Sequence, residues 1–226
     1  MCQTVLNGCS EKILNVRSKP CKLAAVQQLQ DKGMGYLKAD VRAELLLNAA
    51  IKVMQSEGYA AVTARKVAQE SGAAVGHINR HFASLSELKC QAFLAIVHEK
   101  SAEHKAASEA LSGTEAVLAL LGGCNKKTRD IEIWREVSVL AHQDRALHEI
   151  FKYALNLWHG MLNDVIKKNQ LRCHDTAPAT AWRLIALVLG QDLLAMHSVI
   201  DSDESVLRSN LLHLIRLELQ PDTSAT

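Results

Sequence analysis

Apolar residues recur every three or four positions along most of this chain, which is the spacing of one face of an α-helix. The pattern becomes regular from Asp40, where Leu46, Ala50 and Val53 repeat at that spacing. Gly58 follows, and glycine commonly ends helices because it adopts the left-handed backbone without strain. These positions predict a long first helix with one buried face.

Two shorter helical segments follow and are joined by a tight turn. Thr63 is suited to cap a helix over Ala64–Glu70, since a hydroxyl at the cap accepts a backbone hydrogen bond. Gly72 permits the left-handed backbone that a tight turn requires. A third helix is predicted from about Ala74 to His81.

The remaining pattern is also helical. A long helix capped by Ser84 or Ser86 is predicted to continue towards Ala107. Five more are predicted at about 114–121, 127–141, 145–169, 177–200 and 203–219, with Asp144 and Asp203 as caps of the third and the last of these. Aromatic residues make up only 4% of the chain, and no alternating run rich in Val, Ile and Thr is present, so strands have little support. The predicted fold is all-α, with about nine helices.

Charge adds little by itself. The net charge of +2 is distributed as +3 over residues 1–33, +2 over residues 34–100 and −3 over residues 101–226. A mildly basic N-terminal part is compatible with phosphate contacts at that end, although random scatter of surface charge explains such small differences nearly as well.

The six cysteines form no C-x-x-C pair and no metal-ligand spacing, which favours free thiols in a reducing cytoplasm. The most apolar run, Leu184–Leu194, is too short to span a bilayer. No catalytic or phosphate-binding motif is present. We therefore expect a soluble cytoplasmic protein that is not an enzyme, with no cofactor, no metal site and no membrane partner.

The third helix carries the most informative chemistry. His77, Arg80 and His81 share one polar face, while Val75, Ile78 and Phe82 lie opposite and are expected to be buried. A short helix with an apolar back, a polar front and a helix packed before it suits the major groove of DNA. The expected DNA contacts are Thr63, Arg65, Lys66, Gly76, His77, Asn79, Arg80 and His81.

Each of these contacts has a physical reason. Thr63 places a hydroxyl beside the free N–H groups of a helix start, which bind phosphate. Gly76 lets the backbone approach a base edge, and Arg80 matches the acceptors of guanine. The alternative is an ordinary helical hairpin with solvated polar residues.

Residues Ala49 to Leu88 resemble the DNA-binding domain of TetR-type transcriptional regulators. The matching positions are Gly58-Tyr59, Thr63, Val67-Ala68, Gly72, Gly76, Ile78, His81-Phe82, Ser84 and Glu87-Leu88. The resemblance implies a helix-turn-helix head over residues 38–88 and a helical body for ligand binding and dimerisation over residues 89–221. Residues 1–37 are predicted to be a loose leader. Either they form a basic arm that reaches a DNA groove, or translation naturally starts at Met34 and the leader is an artefact of the chosen start site.

The chain also departs from the family pattern. Ala74, Asn79 and Leu85 stand where Ser, Tyr and Lys are usual, so the anchoring of the phosphate backbone differs. The last helices are similar to the choline-responsive betaine regulators of the same family (the BetI type). An acidic residue usual near Leu189 is missing, and Asp192 is displaced from it, so choline is not carried over as the ligand.

The resemblance implies a pocket and an interface in the body. Helices 177–200 and 203–219 are expected to pair with their copies in a homodimer, with burial inside a monomer as the alternative. The candidate pocket residues are Trp134, Phe151, Tyr153, Trp158, His159, Trp182 and Asp192. Aromatic side chains can enclose a cation, although tryptophans in different helices are more often core residues.

The predicted function is a ligand-responsive transcriptional repressor that binds a palindromic DNA operator as a homodimer. Its effector is an unknown small molecule. One alternative is a thiol-based redox regulator of the same fold, using Cys90, Cys124 or Cys173. Another is a helical small-molecule-binding protein or enzyme that uses the body pocket.

Overall fold

The computed structural model describes residues 39–122, 129–201 and 203–220. The described chain divides into two compact units, with the boundary between Ala92 and Phe93. We call the part up to Ala92 the head and the part from Phe93 the body. Three features from the sequence analysis lie outside the described residues: the predicted leader over residues 1–37, the predicted helix start at Lys127, and the candidate thiol Cys124. The predicted domain limits, 38–88 and 89–221, stay predictions.

The head begins with α1 (Ala39–Glu57), followed by α2 (Ala64–Ser71). A 3₁₀ turn (Val75–His77) leads directly into α3 (Ile78–His81), and α4 (Leu85–Glu109) starts in the head and continues into the body. α1 packs against both α2 and α3. The fully buried side chains of this core are Leu46, Ala50, Met54, Val62, Val67, Ile78 and Leu88.

The body contains α5 (Gly113–Leu120), α6 (Arg129–Leu140), α7 (Arg145–Lys168), α8 (Ala177–Met196) and α9 (Glu204–Glu218). α7 packs on α5, α6 and α8, while α9 packs on α5 and α8. Their shared core contains Leu118, Leu120, Leu162, Leu184, Leu211 and Ile215, which are completely or almost completely buried. The predicted all-α fold is confirmed.

Several predicted helix ends are also observed. Thr63 caps α2, because its Oγ1 accepts a hydrogen bond of 3.3 Å from the Lys66 N–H. Gly72 follows α2 with φ 67° and ψ 11°, which is the left-handed conformation expected there. Ser84, and not Ser86, precedes α4 and accepts a 3.1 Å hydrogen bond from the Glu87 N–H. Asp144 and Asp203 cap α7 and α9 through their carboxylates.

Three features differ from the prediction. The third helix begins as a 3₁₀ turn, and the helix predicted over 177–200 ends at Met196, since Ser198 adopts φ 56°. Two short antiparallel strands, β1 (Arg172–Cys173) and β2 (Leu219–Gln220), pair just beyond α7 and α9. Two-residue strands leave no periodic signal in a sequence, so only their tertiary pairing reveals them.

Candidate DNA interface and effector site

The turn between α2 and α3 is built from local hydrogen bonds. Ser71 Oγ donates to the Ala68 carbonyl and accepts from the Ala73 N–H, both at 3.3 Å. The His77 N–H donates to the Ala74 carbonyl at 2.9 Å and starts the 3₁₀ turn. Ala74 provides no side-chain cap there. The turn between α2 and α3 is therefore held by the Ser71 hydroxyl and by backbone hydrogen bonds, and position 74 adds no further hydroxyl.

Arg65 and Arg80 are the exposed cations of this surface. Neither has an ion-pair or hydrogen-bond partner among the residues that the structure describes. Lys66 differs, because its ammonium group pairs with Glu57. A phosphate would have to compete with that carboxylate for Lys66, whereas both guanidinium groups are available.

The predicted face of His77, Arg80 and His81 is only partly observed. Arg80 and Asn79 are exposed, but His77 and His81 are half-buried. One ring nitrogen of each histidine, Nδ1 of His77 and Nε2 of His81, is buried with no hydrogen-bond partner among the described residues. The outward-facing polar groups of α3 are therefore the Asn79 amide and the Arg80 guanidinium.

Gly76 and Val75 lie at the open end of this surface. A Cβ atom at Gly76 would meet nothing within 4 Å, so this position is open. The expectation that Val75 is buried is wrong, because it is 50% exposed, while Ile78 and Phe82 are buried as expected. Helical Cα–Cβ bonds tilt towards the N-terminus, so the first residue of the segment points beyond the end of the helix.

The start of α4 is held to the same surface. The Glu87 carboxylate accepts a 2.6 Å hydrogen bond from the Ala83 N–H and a 3.0 Å bond from Gln91 Nε2. Lys89 places its ammonium group 4.1 Å from the centre of the Tyr59 ring, a cation–π contact between α4 and the loop after α1. The contacts with Ala83 and Tyr59 join the start of α4 to the residues before it, while the bond to Gln91 lies within α4.

In sequence, residues 46–88 match the family model of the bacterial regulatory proteins of the tetR family. The match runs from α1 through the turn and α3 to the start of α4. The chain carries a TetR-type DNA-binding domain. The resemblance predicted from the sequence is confirmed, and the exposed polar edge of α3 belongs to the recognition helix of a helix-turn-helix.

Solved structures of TetR-type regulators share the fold. A TetR-family regulator from Cytophaga hutchinsonii is 18% identical with a TM-score of 0.67, covering 82% of this chain and 98% of that one. A transcriptional regulator from Saccharomonospora viridis in complex with choline is 19% identical with a TM-score of 0.65, covering 80% and 98%. The multidrug-binding protein EbrR in complex with proflavin is 23% identical with a TM-score of 0.57, covering 76% and 99%. No curated protein sequence matches the chain.

Three of the seven candidate pocket residues meet in the body. Trp134 contacts Phe151 edge-on with ring centres 5.3 Å apart, and it lies 6.4 Å from Trp158. Phe93, which sequence reasoning missed, contacts Trp134 edge-on at 5.7 Å. We call these four residues the aromatic cluster. The indole N–H of Trp158 is buried and has no acceptor among the described residues.

The other four candidates make separate contacts. Tyr153 is partly exposed and meets His98 edge-on. His159 stacks on Trp182 with ring centres 4.3 Å apart, and its Nε2 lies 2.9 Å from the Pro178 carbonyl. Asp192 pairs with Arg135 through two hydrogen bonds of 2.9 and 2.5 Å. This carboxylate is already neutralised, so it is not a free anion for a cationic ligand.

A cavity of about 280 Å³ lies elsewhere in the body, and none of the seven candidates lines it. It is bordered by α4, α5 and α7, with Ser108, Leu120, Met161, Val165 and Asn169 among its lining residues. Ser108 donates to the Ala116 carbonyl at 2.7 Å, and Asn169 accepts from the Gly113 N–H at 2.7 Å. The Ser108 hydroxyl and the Asn169 amide oxygen are therefore already hydrogen-bonded within the body, whereas charged residues also line the cavity, namely Lys105, Glu109, Asp164 and Lys168.

One face of α8 is apolar and exposed. Trp182, Leu189, Leu193 and Met196 are each more than 40% exposed, and their spacing of 7, 4 and 3 residues aligns them along the helix. We call these four residues the α8 stripe. On α9 the outward apolar residues are Val206 and Leu217, whereas Leu211 and Ile215 are completely buried in the body. Two of the large apolar residues of α9, a helix expected at the interface, thus belong to the body core instead.

By length and mean hydropathy, α8 could cross a membrane, the one such helix among the described residues. Its opposite face packs in the body core, where Thr180, Ala181, Leu184 and Ile185 are buried. Two charged side chains of α8 are paired: Arg183 with Glu218 at 2.9 Å and Asp192 with Arg135. Because charges within a bilayer are costly, this helix suits a protein partner better than lipid.

Proposed function

We propose that this chain is a sequence-specific transcriptional regulator, a ligand-responsive repressor that binds a palindromic operator as a homodimer. The observation that carries the proposal is the TetR-type head with two exposed arginines, Arg65 and Arg80, whose charges have no partner among the described residues. Unpaired guanidinium groups beside a capped helix start are suited to phosphates and guanine. Regulation of transcription requires such a contact with duplex DNA.

The test is DNA binding by the full chain to duplexes selected from a random library. Affinity should fall steeply with added salt, since phosphate contacts release counterions. Arg80→Ala should weaken binding by roughly 1–3 kcal/mol, about 5- to 150-fold. Arg172→Ala, which removes an exposed arginine of β1 in the body, serves as the matched control and should bind like the wild type. Equal affinities for Arg80→Ala and Arg172→Ala would contradict the proposed interface.

The homodimer rests on the α8 stripe. Four large apolar side chains on one helix face form a patch of the kind that marks a protein interface. Helix-turn-helix dimers in general present two recognition helices roughly 34 Å apart, one turn of DNA. The operator should then be palindromic, because its symmetry mirrors that of the protein.

The aromatic cluster is the proposed effector site. Its rings offer π faces to a cation, and the unpartnered Trp158 N–H offers a hydrogen bond to an acceptor. Fold relatives that bind choline and proflavin make a cationic or cationic-aromatic effector the first class to test. Proflavin and choline should each be titrated while tryptophan fluorescence and operator affinity are followed. If an effector bound and left operator affinity unchanged, ligand-controlled repression would be refuted.

The other proposals receive less support. Cys90 is only 6% exposed, and Cys173 is half-buried with its Sγ 3.8 Å from the Leu171 carbonyl. A redox sensor needs an accessible thiolate, which neither site favours. An enzyme would need a catalytic group in a pocket, whereas the matched family consists of regulatory proteins. A DNA-binding regulator of this kind acts in the cytoplasm, and we propose that location.

A further inference from the structure

Val75 is an unusual surface residue of the head. Among residues 41–92 it is the one large apolar side chain that is more than a third exposed. Its neighbours Ala74 and Gly76 are also exposed, and Gly76 faces open space. The exposed half of the Val75 side chain contributes nothing to burial in the head alone. Its position at the start of the recognition helix suggests a contact that forms only on binding.

We infer that Val75 reads the methyl group of a thymine in each half of the operator. The inference rests on the proposed DNA-binding function and names a base that it selects. In a helix-turn-helix, the first residues of the recognition helix approach the base edges. Val75 is the first residue of the 3₁₀ turn that leads into α3. Thymine is the base that presents a methyl group in the major groove, where it takes apolar contacts.

The neighbouring side chains support an A·T pair at this point. Asn79 lies four residues after Val75, in the α-helix that follows the 3₁₀ turn, and it is exposed as Val75 is. The amide of Asn matches the N6 and N7 edge of adenine. An exposed valine and an exposed asparagine in the same short segment are therefore suited to a thymine methyl and a nearby adenine. Arg65 and Arg80 supply positive charge for contacts with the phosphate backbone of the DNA.

The small residues around Val75 give the contact room. Ala74 and Gly76 place no long side chain beside it, so a base edge can approach the isopropyl group closely. A polar residue at this position would instead hydrogen-bond to several bases. The arrangement predicts selection by shape and apolar contact at one base pair per half-site.

The experiment uses a duplex that the full chain selects from a random library. Each thymine is replaced in turn by deoxyuridine, which removes only the methyl group. At one thymine per half-site, the affinity of the wild type should fall about fourfold. This factor corresponds to roughly 0.8 kcal/mol, the contribution of one buried methyl group. Val75→Ala should show no loss at that thymine. Val139→Ala, which makes the same change at an exposed valine of α6, should behave like the wild type.

Each outcome has one meaning. Sensitivity to deoxyuridine that disappears in Val75→Ala supports the contact. Val75→Thr keeps one methyl group and should therefore retain part of that sensitivity. A wild type that is insensitive at every thymine, or equal sensitivity of wild type and Val75→Ala, overturns the inference. If no duplex is selected at all, the proposed function fails instead. Circular dichroism of Val75→Ala should match the wild type, because the residue is exposed.

Discussion

Replacement of Leu193 by Ala tests whether the α8 stripe is buried between two subunits. Leu193 is 54% exposed in the single chain, so a partner would remove about half of its side chain from water. Full burial of a leucine side chain contributes about 1.5–3 kcal/mol, and half of it roughly 1 kcal/mol. A two-fold interface contains the residue twice. The dimer should thus lose about 2 kcal/mol, and its dissociation constant should rise roughly 30-fold.

Sedimentation velocity over a range of concentrations measures this dissociation constant. Leu111→Ala is the matched control, because Leu111 is 49% exposed but lies outside the α8 stripe. It should leave the dimer unchanged. Leu189→Glu should dissociate the dimer more strongly, since it also places two like charges near one another. Equal dissociation constants for the Leu193 and Leu111 variants, or a wild type that is monomeric throughout, would refute the interface.

Two further predictions concern folding of the head and the body. Thr63→Ala should lower the free energy of unfolding by about 1 kcal/mol, because the Lys66 N–H loses its side-chain acceptor. Thr63→Ser keeps a hydroxyl acceptor and should keep the stability. Urea denaturation measures both variants, and equal stability of the two would contradict the prediction. Burial lowers the pKa of His104 from its usual 6.5, and the charge of Lys100 lowers it further, while the smaller effects of Glu103 and Asp130 oppose this shift. The unfolded chain therefore takes up the proton more readily, and stability should fall as the pH drops below about 6.5. His104→Gln should reduce that fall between about pH 7.5 and 5.5, and an unchanged pH dependence would argue against it.

Local signals made most of the head predictable. Thr63 and Gly72 act through a hydrogen bond or backbone angles within a few residues of themselves, so residue type and spacing suffice. Val75 was assigned to the buried face because helical spacing alone cannot tell where a side chain loses its neighbours. Its exposure depends on its place in the first turn of the segment.

Long-range contacts limited the prediction of the candidate effector site. Trp134 and Phe151 are on different helices, and nothing in their spacing indicates that their rings meet. Asp192, a predicted ligand contact, instead forms an internal ion pair with Arg135, which is 57 residues away in the sequence. Chain topology and packing decide such pairs, and neither can be read from local periodicity.

Trp134 and Arg135 are consecutive residues of α6 with different tasks. Trp134 joins the aromatic cluster, while Arg135 is bound to Asp192 on α8, next to Leu193 of the α8 stripe. A rotation of α6 about its own axis displaces both side chains at once. A ligand that turned α6 from the proposed effector site would therefore also disturb the Arg135–Asp192 pair beside the proposed interface. By thermodynamic linkage, any such coupling between ligand binding and dimerisation changes both affinities by the same factor.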